Sequence, residues 1–187
     1  MSDKVTVIGL CGSLRASSYN RAALDAAEAS MPEGMTLEIA QWSKIPIFSA
    51  DDQASGWPEP VVALGDAIRL ADAVLIASPE YNFSVPGGLK NALDWLSRLP
   101  EQPFKDKAVA IMGASAGPLG TARMQYDLRR ILHFLEAQTL LKPEVFIGNA
   151  QAKFEGNGRL ADEATRRFIG DQMIALERWV LRLRNSR

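Results

Sequence analysis

The sequence predicts an α/β chain, a doubly wound parallel sheet with helices on both of its faces. Three observations carry this prediction. Short β-branched apolar runs recur along the chain, helical segments with one apolar face separate them, and loops bearing glycine or proline close each run. Strands that alternate with helices are buried on both faces, and in such sheets ligands sit at the strand carboxyl ends.

The first element is the run VTVIGL at residues 5–10, a central strand. Residues 20–31 follow as a helix rich in alanine, stopped by Pro32 and Gly34. Residues 36–40 read as a short strand. Residues 42–57 hold Pro46, Ser49, Asp51, Asp52, Ser55 and Gly56, which predicts an irregular surface loop. A helix is expected over 59–71, a buried strand (AVLIAS) over 73–78 and a helix over 88–98. A strand (AVAIMG) over 108–113, a long helix over 120–138 and a short strand over 144–147 come next. A closing helix spans 162–184, with Phe168, Ile169, Met173, Ile174, Leu176, Val180 and Leu181 as its apolar positions. Five strands fit a flavodoxin-like three-layer sandwich with a five-stranded parallel sheet in the order 2-1-3-4-5. The six-stranded dinucleotide-binding order fits less well.

The bulk properties narrow the function classes. A length of 187 residues suits one domain with one buried core. Lys and Arg number 21 against 22 Asp and Glu, for a net charge of -1, so there is no electrostatic footprint for nucleic acid or an anionic membrane. The single cysteine, Cys11, excludes an intrachain disulfide and suits a reducing compartment. The opening MSDKVTVIGLCGS lacks the cationic leader of a signal peptide, and no apolar run approaches the ~18 residues that span a bilayer. A cytoplasmic location is expected.

The loop after the first strand reads CGSLRASSYN. It contains neither G-x-G-x-x-G nor G-x-x-x-x-G-K-[ST], so both common nucleotide fingerprints are absent. Ser13, Ser17, Ser18, Asn20 and Arg15 crowd it instead, with Gly12 at the turn. Hydroxyls, an amide and a guanidinium beside a helix N-terminus suit a terminal phosphate monoester. Ser18 or Asn20 also reads as a simple helix cap, although capping does not account for the arginine. After the third strand, residues 78–98 read SPEYNFSVPGGLKNALDWLSR. A loop fixed by prolines and carrying Tyr81 suits a wall against a flat ring; ordinary turn chemistry explains it equally well.

Together these two segments resemble the NADPH-dependent FMN reductase family, which includes bacterial quinone, azo-dye and chromate reductases. Its pattern G-S-x-R-x-x-S-x-N falls on Gly12, Ser13, Arg15, Ser18 and Asn20, and P-E-Y-N-x-S-x-P-G-x-L-K-N runs unbroken over residues 79–91. The resemblance implies FMN as cofactor and NADPH or NADH as electron donor. It assigns Ser13, Arg15, Ser18 and Asn20 to the phosphate, Pro79, Glu80, Tyr81 and Asn82 to the ring, and Ser115 in the GASAG loop to the ring's polar edge. The implied reaction passes hydride from nicotinamide to flavin and then to a quinone, azo, nitro or metal-oxyanion acceptor. It is ping-pong and needs no catalytic side chain, because the chemistry is the cofactor's. Consistent with this, the lone His133 lies in a helical stretch, Cys11 reads as a packing residue, and no metal-ligand spacing occurs. A reductase that supplies reduced flavin to a partner, or a flavodoxin-type electron carrier, would share the same loops; the near-neutral charge speaks against the carrier. The resemblance also implies a homodimer or homotetramer, with Arg123, Tyr126 and Glu144 as candidate contacts between subunits.

Overall fold

Alternating apolar residues decide how the sheet is sandwiched. The computed structural model describes residues 4–186. In chain order its elements are β1 (Val5–Cys11), α1 (Tyr19–Glu28), β2 (Met35–Ile39), α2 (Ala50–Ser55) and α3 (Glu59–Leu70). They continue with β3 (Ala73–Ala77), α4 (Gly87–Leu96), β4 (Ala108–Ala114), α5 (Ala122–Phe134), β5 (Gln138–Thr139), β6 (Val145–Ile147) and α6 (Glu163–Arg184). Successive strand residues point to opposite faces. Val5, Val7, Leu75 and Met112 therefore pack beneath α1 and α6, against Leu24, Ile169, Met173 and Leu176. Ile8, Leu10, Val74, Ile76 and Ile111 pack on the other face, against Leu64, Ile68, Leu93, Trp95 and Leu128 of α3, α4 and α5.

Every strand pairing is parallel, and the order is β2-β1-β3-β4-β5 with β6 also on β4. The expected order 2-1-3-4-5 is thus found, with one refinement. Two short strands in succession fill the fifth position: Gln138 and Thr139 pair with Ala108 and Val109, and residues 145–147 pair with residues 112–114. Between them lies Pro143, which has no N–H to give to the ladder. Its carbonyl accepts from Gln172 of α6 at 2.9 Å, so a side chain replaces the missing pairing.

Two boundaries differ from expectation. The long helix expected over 120–138 stops at Phe134, because Glu136 takes a left-handed φ of 58° and turns the chain into β5. The loop expected over 42–57 contains α2. Ser49 caps it by accepting from the N–H groups of Asp51 and Asp52, and both acids sit favourably in its first turn. The remainder of that segment is anchored from α4. Asn91 Oδ1 accepts the Phe48 N–H at 2.8 Å, and Asn91 Nδ2 and Trp95 Nε1 both donate to the Pro46 carbonyl.

Candidate functional site

The carboxyl ends of β1, β3 and β4 meet with almost no space between their backbones. Gly12 N–H donates to Ala77 O at 2.8 Å, Ser78 N–H to Met112 O at 3.1 Å, and Ser115 N–H to Ile147 O at 3.0 Å. A Cβ on Gly12 would stand 2.2 Å from Ser78 Oγ. One on Gly113 would stand 2.1 Å from Thr121 Oγ1 and 2.3 Å from the Ser78 carbonyl. Only glycine fits at either position, so these two residues allow the three following loops to share one edge.

The first loop connects Gly12 to α1. Ser18 is the N-cap, its Oγ accepting from Asn20 N–H at 3.2 Å and Arg21 N–H at 3.3 Å. The backbone N–H groups of Ser13, Leu14, Ala16, Ser17, Ser18 and Tyr19 have no acceptor among the described residues. Ser18 is only 5% exposed, so its N–H is a donor held away from bulk water without a partner. Backbone donors left without acceptors at a helix N-terminus, one of them buried, are a site for an anion. The Arg15 guanidinium stands over the Tyr19 ring, 5.4 Å from its centroid, on the exposed side of the loop. Cys11 beneath it donates to the Ser13 carbonyl at 3.3 Å. Burial pushes the Cys11 thiol above its ordinary value, so it stays protonated and packs as a small apolar group.

Asn20, which the resemblance assigns to the phosphate, is the second residue of α1. It is 2% exposed and turned towards β4, with Nδ2 donating to the Ala114 carbonyl at 3.0 Å and Oδ1 accepting the Ala114 N–H at 2.8 Å. The amide latches the start of α1 to the end of β4, across a separation of 94 residues.

The second loop begins with Ser78, whose Oγ donates to the Pro79 carbonyl at 3.1 Å. Glu80 points its side chain into the protein, where it is 5% exposed. Its Oε2 accepts from the Arg123 and Met124 N–H groups at 3.1 and 3.2 Å, and its Oε1 pairs with the Arg123 guanidinium. Glu80 therefore caps α5, whose own N-cap residue Thr121 makes no capping bond with its side chain. Tyr81 to Ser84 form a tight turn closed by reciprocal N–H to carbonyl bonds of 3.1 and 3.0 Å, with Asn82 at φ 48° and Phe83 at φ 69°. Left-handed backbone at both central residues makes this a type I′ geometry without glycine, and it holds Tyr81 (52% exposed) and Phe83 (67% exposed) outward. The Arg123 guanidinium covers the Phe83 ring at 3.8 Å.

In the third loop the Ser115 hydroxyl turns inward and donates to the Gly120 carbonyl, closing residues 115–120 upon themselves. The Ala116 and Gly117 N–H groups have no acceptor among the described residues, and both residues are exposed. Gly12, Gly113, Ser78 and Thr121 were not singled out as a group by sequence reasoning. A glycine ending each of two buried strands was the available signal.

The other candidates lie elsewhere. His133 is exposed in the last turn of α5. Glu144 is held below the usual carboxylate range by the Lys142 ammonium and, after the opposing effect of burial, by Tyr126. Arg123 and Glu144 thus both have partners within the chain. Among the described residues there is no cluster of His, Cys, Asp and Glu that fits a metal ion, and no helix long and apolar enough to cross a membrane.

The chain is similar to known proteins. The family model for NADPH-dependent FMN reductase matches residues 5–152. An NAD(P)H-dependent FMN reductase of Pseudomonas aeruginosa is 53% identical over 184 residues, covering 98% of this chain and 100% of the relative. A quinone reductase of Escherichia coli is 45% identical over 190 residues, covering 98% and 100%. Among solved structures, FerB of Paracoccus denitrificans, a flavoenzyme NAD(P)H:(acceptor) oxidoreductase, superposes with a TM-score of 0.86 at 31% identity, covering 95% of this chain and 98% of that one. With the family model over most of its length and relatives of this identity over nearly all of it, the chain belongs to the NADPH-dependent FMN reductase family.

Proposed function

We propose that this chain holds FMN and works as an NAD(P)H oxidoreductase, with a quinone or a similar flat oxidant as acceptor. The observation that carries the reading is the set of N–H groups without acceptors among the described residues at Ser13, Leu14, Ala16, Ser17, Ser18 and Tyr19, on the same sheet end as the turn bearing Tyr81 and Phe83. In this reading the Ser13, Ser17 and Ser18 backbone, the serine hydroxyls and Arg15 hold the phosphate. Asn20 keeps the loop in place through Ala114. Pro79, Tyr81 and Asn82 offer a rigid wall to the ring. Glu80 supports that wall from behind by fixing α5 to it, and the Ala116 and Gly117 N–H groups meet the ring's polar edge while Ser115 holds their loop closed.

FMN held by these residues would supply the hydride-transfer chemistry between nicotinamide and the acceptor. The protein contributes position and preorganised N–H dipoles. No side chain here is arranged to move a proton: Glu80 is engaged with α5, Cys11 is held as a neutral thiol, and His133 is at the far end of α5. We further propose one domain in the cytoplasm, assembled as a homodimer or homotetramer; Tyr81, Phe83, Leu119 and Tyr126 are all more than half exposed and suit a covered surface.

The test is an absorbance spectrum of the purified protein followed by anaerobic addition of NADPH. Flavin bands that bleach, and return on addition of a quinone with parallel double-reciprocal lines in steady state, are expected. A colourless protein that also fails to take up added FMN would overturn the reading. Retained FMN that NADPH cannot reduce would point to an electron carrier instead.

A further inference from the structure

Beside the phosphate loop, on its α1 flank, lies a groove of about 1220 Å³ walled by α1 and by residues 154–160. It shares Arg15, Ser17 and Ser18 with the loop, so it opens from the same edge of the sheet. Its charge is unlike that of the chain as a whole. Arg15, Arg21, Arg159 and Arg166 line it against only Asp25 and Glu155, in a protein of net charge -1. The pairs within it are exposed and replaceable: Arg21 meets Asp25 at 3.0 Å, and Arg159, with a side chain 63% exposed, meets Glu155. Tyr19 and Phe154 pack at 5.1 Å between ring centroids and give an apolar floor. Gly156 and Gly158 have open space where a side chain would be, which leaves the rim uncovered.

We infer that this groove receives the adenosine half of the dinucleotide donor, and that Arg159 and Arg166 select NADPH over NADH by meeting its 2′-phosphate. The inference rests on the function proposed above. A nicotinamide lying over the ring leaves the rest of the dinucleotide to run towards either end of the flavin. The phosphate end leads into this groove, which carries excess positive charge and is large enough for a nucleotide. A phosphate monoester carries about two negative charges near neutral pH, and the corresponding hydroxyl of NADH carries none. Exposed arginine pairs exchange their carboxylates for such a dianion at little cost, because those pairs are weak in water, while guanidinium matches phosphate geometry.

The experiment uses FMN-loaded protein and the variant Arg159→Ala/Arg166→Ala. Titration calorimetry with adenosine 2′,5′-bisphosphate should show binding to the parent and at least about tenfold weaker binding to the variant. The KM for NADPH should rise by a similar factor, with the KM for NADH, kcat and flavin content unchanged. Arg159→Lys/Arg166→Lys should restore much of the loss. No binding of the bisphosphate to the parent, or equal changes in KM for both donors, overturns the inference. Loss of flavin from the variant overturns it too, because the groove would then serve the FMN phosphate. Arg166 also donates to the Leu160 carbonyl at 3.1 Å, so if the double variant does not fold, the exposed Arg159→Ala alone decides. Absence of flavin from the parent would instead sink the underlying function.

Discussion

Asn20 and Glu80 differ from Arg15 in a way that composition does not reveal. All three are polar residues in loops after buried strands, yet Asn20 and Glu80 have every oxygen engaged with backbone or guanidinium partners inside the protein. Arg15 has no ion pair among the described residues and faces the open side of its loop. The sequence made the presence of a phosphate-type loop legible, because hydroxyls and an arginine at a strand-to-helix turn have few other uses. It did not show which polar groups face inward. That depends on partners 43 and 94 residues away, which local pattern does not contain. Arg15→Ala is accordingly expected to weaken FMN binding about ten- to a hundred-fold, the worth of one charge-assisted hydrogen bond, without lowering the thermal midpoint of the apoprotein. Fluorescence titration of FMN measures the first quantity and calorimetry the second. Unchanged affinity would remove Arg15 from the phosphate site.

At the scale of elements, cap chemistry separates the boundaries that were legible from those that were not. The strands of the centre were plain from their apolar runs. The hidden helix α2 follows Ser49 with two acids in its first turn, a start signal submerged among turn-forming residues. α5 has no local cap at all, because Glu80 supplies one from the ring-side loop. α6 is the simple case. Asp162 accepts from the Thr165 hydroxyl and N–H, and these bonds hold its carboxyl below the usual aspartate range. A depressed folded-state value means stability that is present above the unfolded value, about 3.9, and lost as pH falls through the folded one. Asp162→Ala should therefore destabilise the protein by about 1 kcal/mol at pH 7, with the difference from the parent vanishing in strongly acidic solution. Urea unfolding at the two pH values checks this. A difference that persists when the carboxyl is protonated would show that Asp162 contributes by packing rather than as a charged cap.

At the scale of the molecule, the two apolar clusters account for the sandwich, and the loops account for what the sandwich leaves unsatisfied. The order of the five sheet positions was legible from strand–helix alternation and the handedness of crossovers. The division of the fifth position was not, since Pro143 interrupts it and a glutamine of α6 completes it only in three dimensions. At the carboxyl ends of the strands, two of the loops hold N–H groups without acceptors among the described residues, at Ser13, Leu14, Ala16, Ser17, Ser18 and Tyr19 and at Ala116 and Gly117. Folding without a ligand leaves the exposed donors to water and the Ser18 N–H without a partner, and a bound phosphate and ring would satisfy them, so the cofactor should act as a stabilising ligand of the native state alone. Mass action then sets the size of the effect. At a free FMN concentration about a hundred times Kd, binding adds about 2.7 kcal/mol, which for a chain of this length raises Tm by about 5–11 °C. Riboflavin, which has the ring but no phosphate, should give a much smaller rise, and inorganic phosphate without the ring a small one. Differential scanning calorimetry of the apoprotein with each of the three ligands measures all of these. Equal shifts with FMN and riboflavin would mean that the loop from Gly12 to α1 does not hold the cofactor, and the anion-ready backbone there would need another occupant.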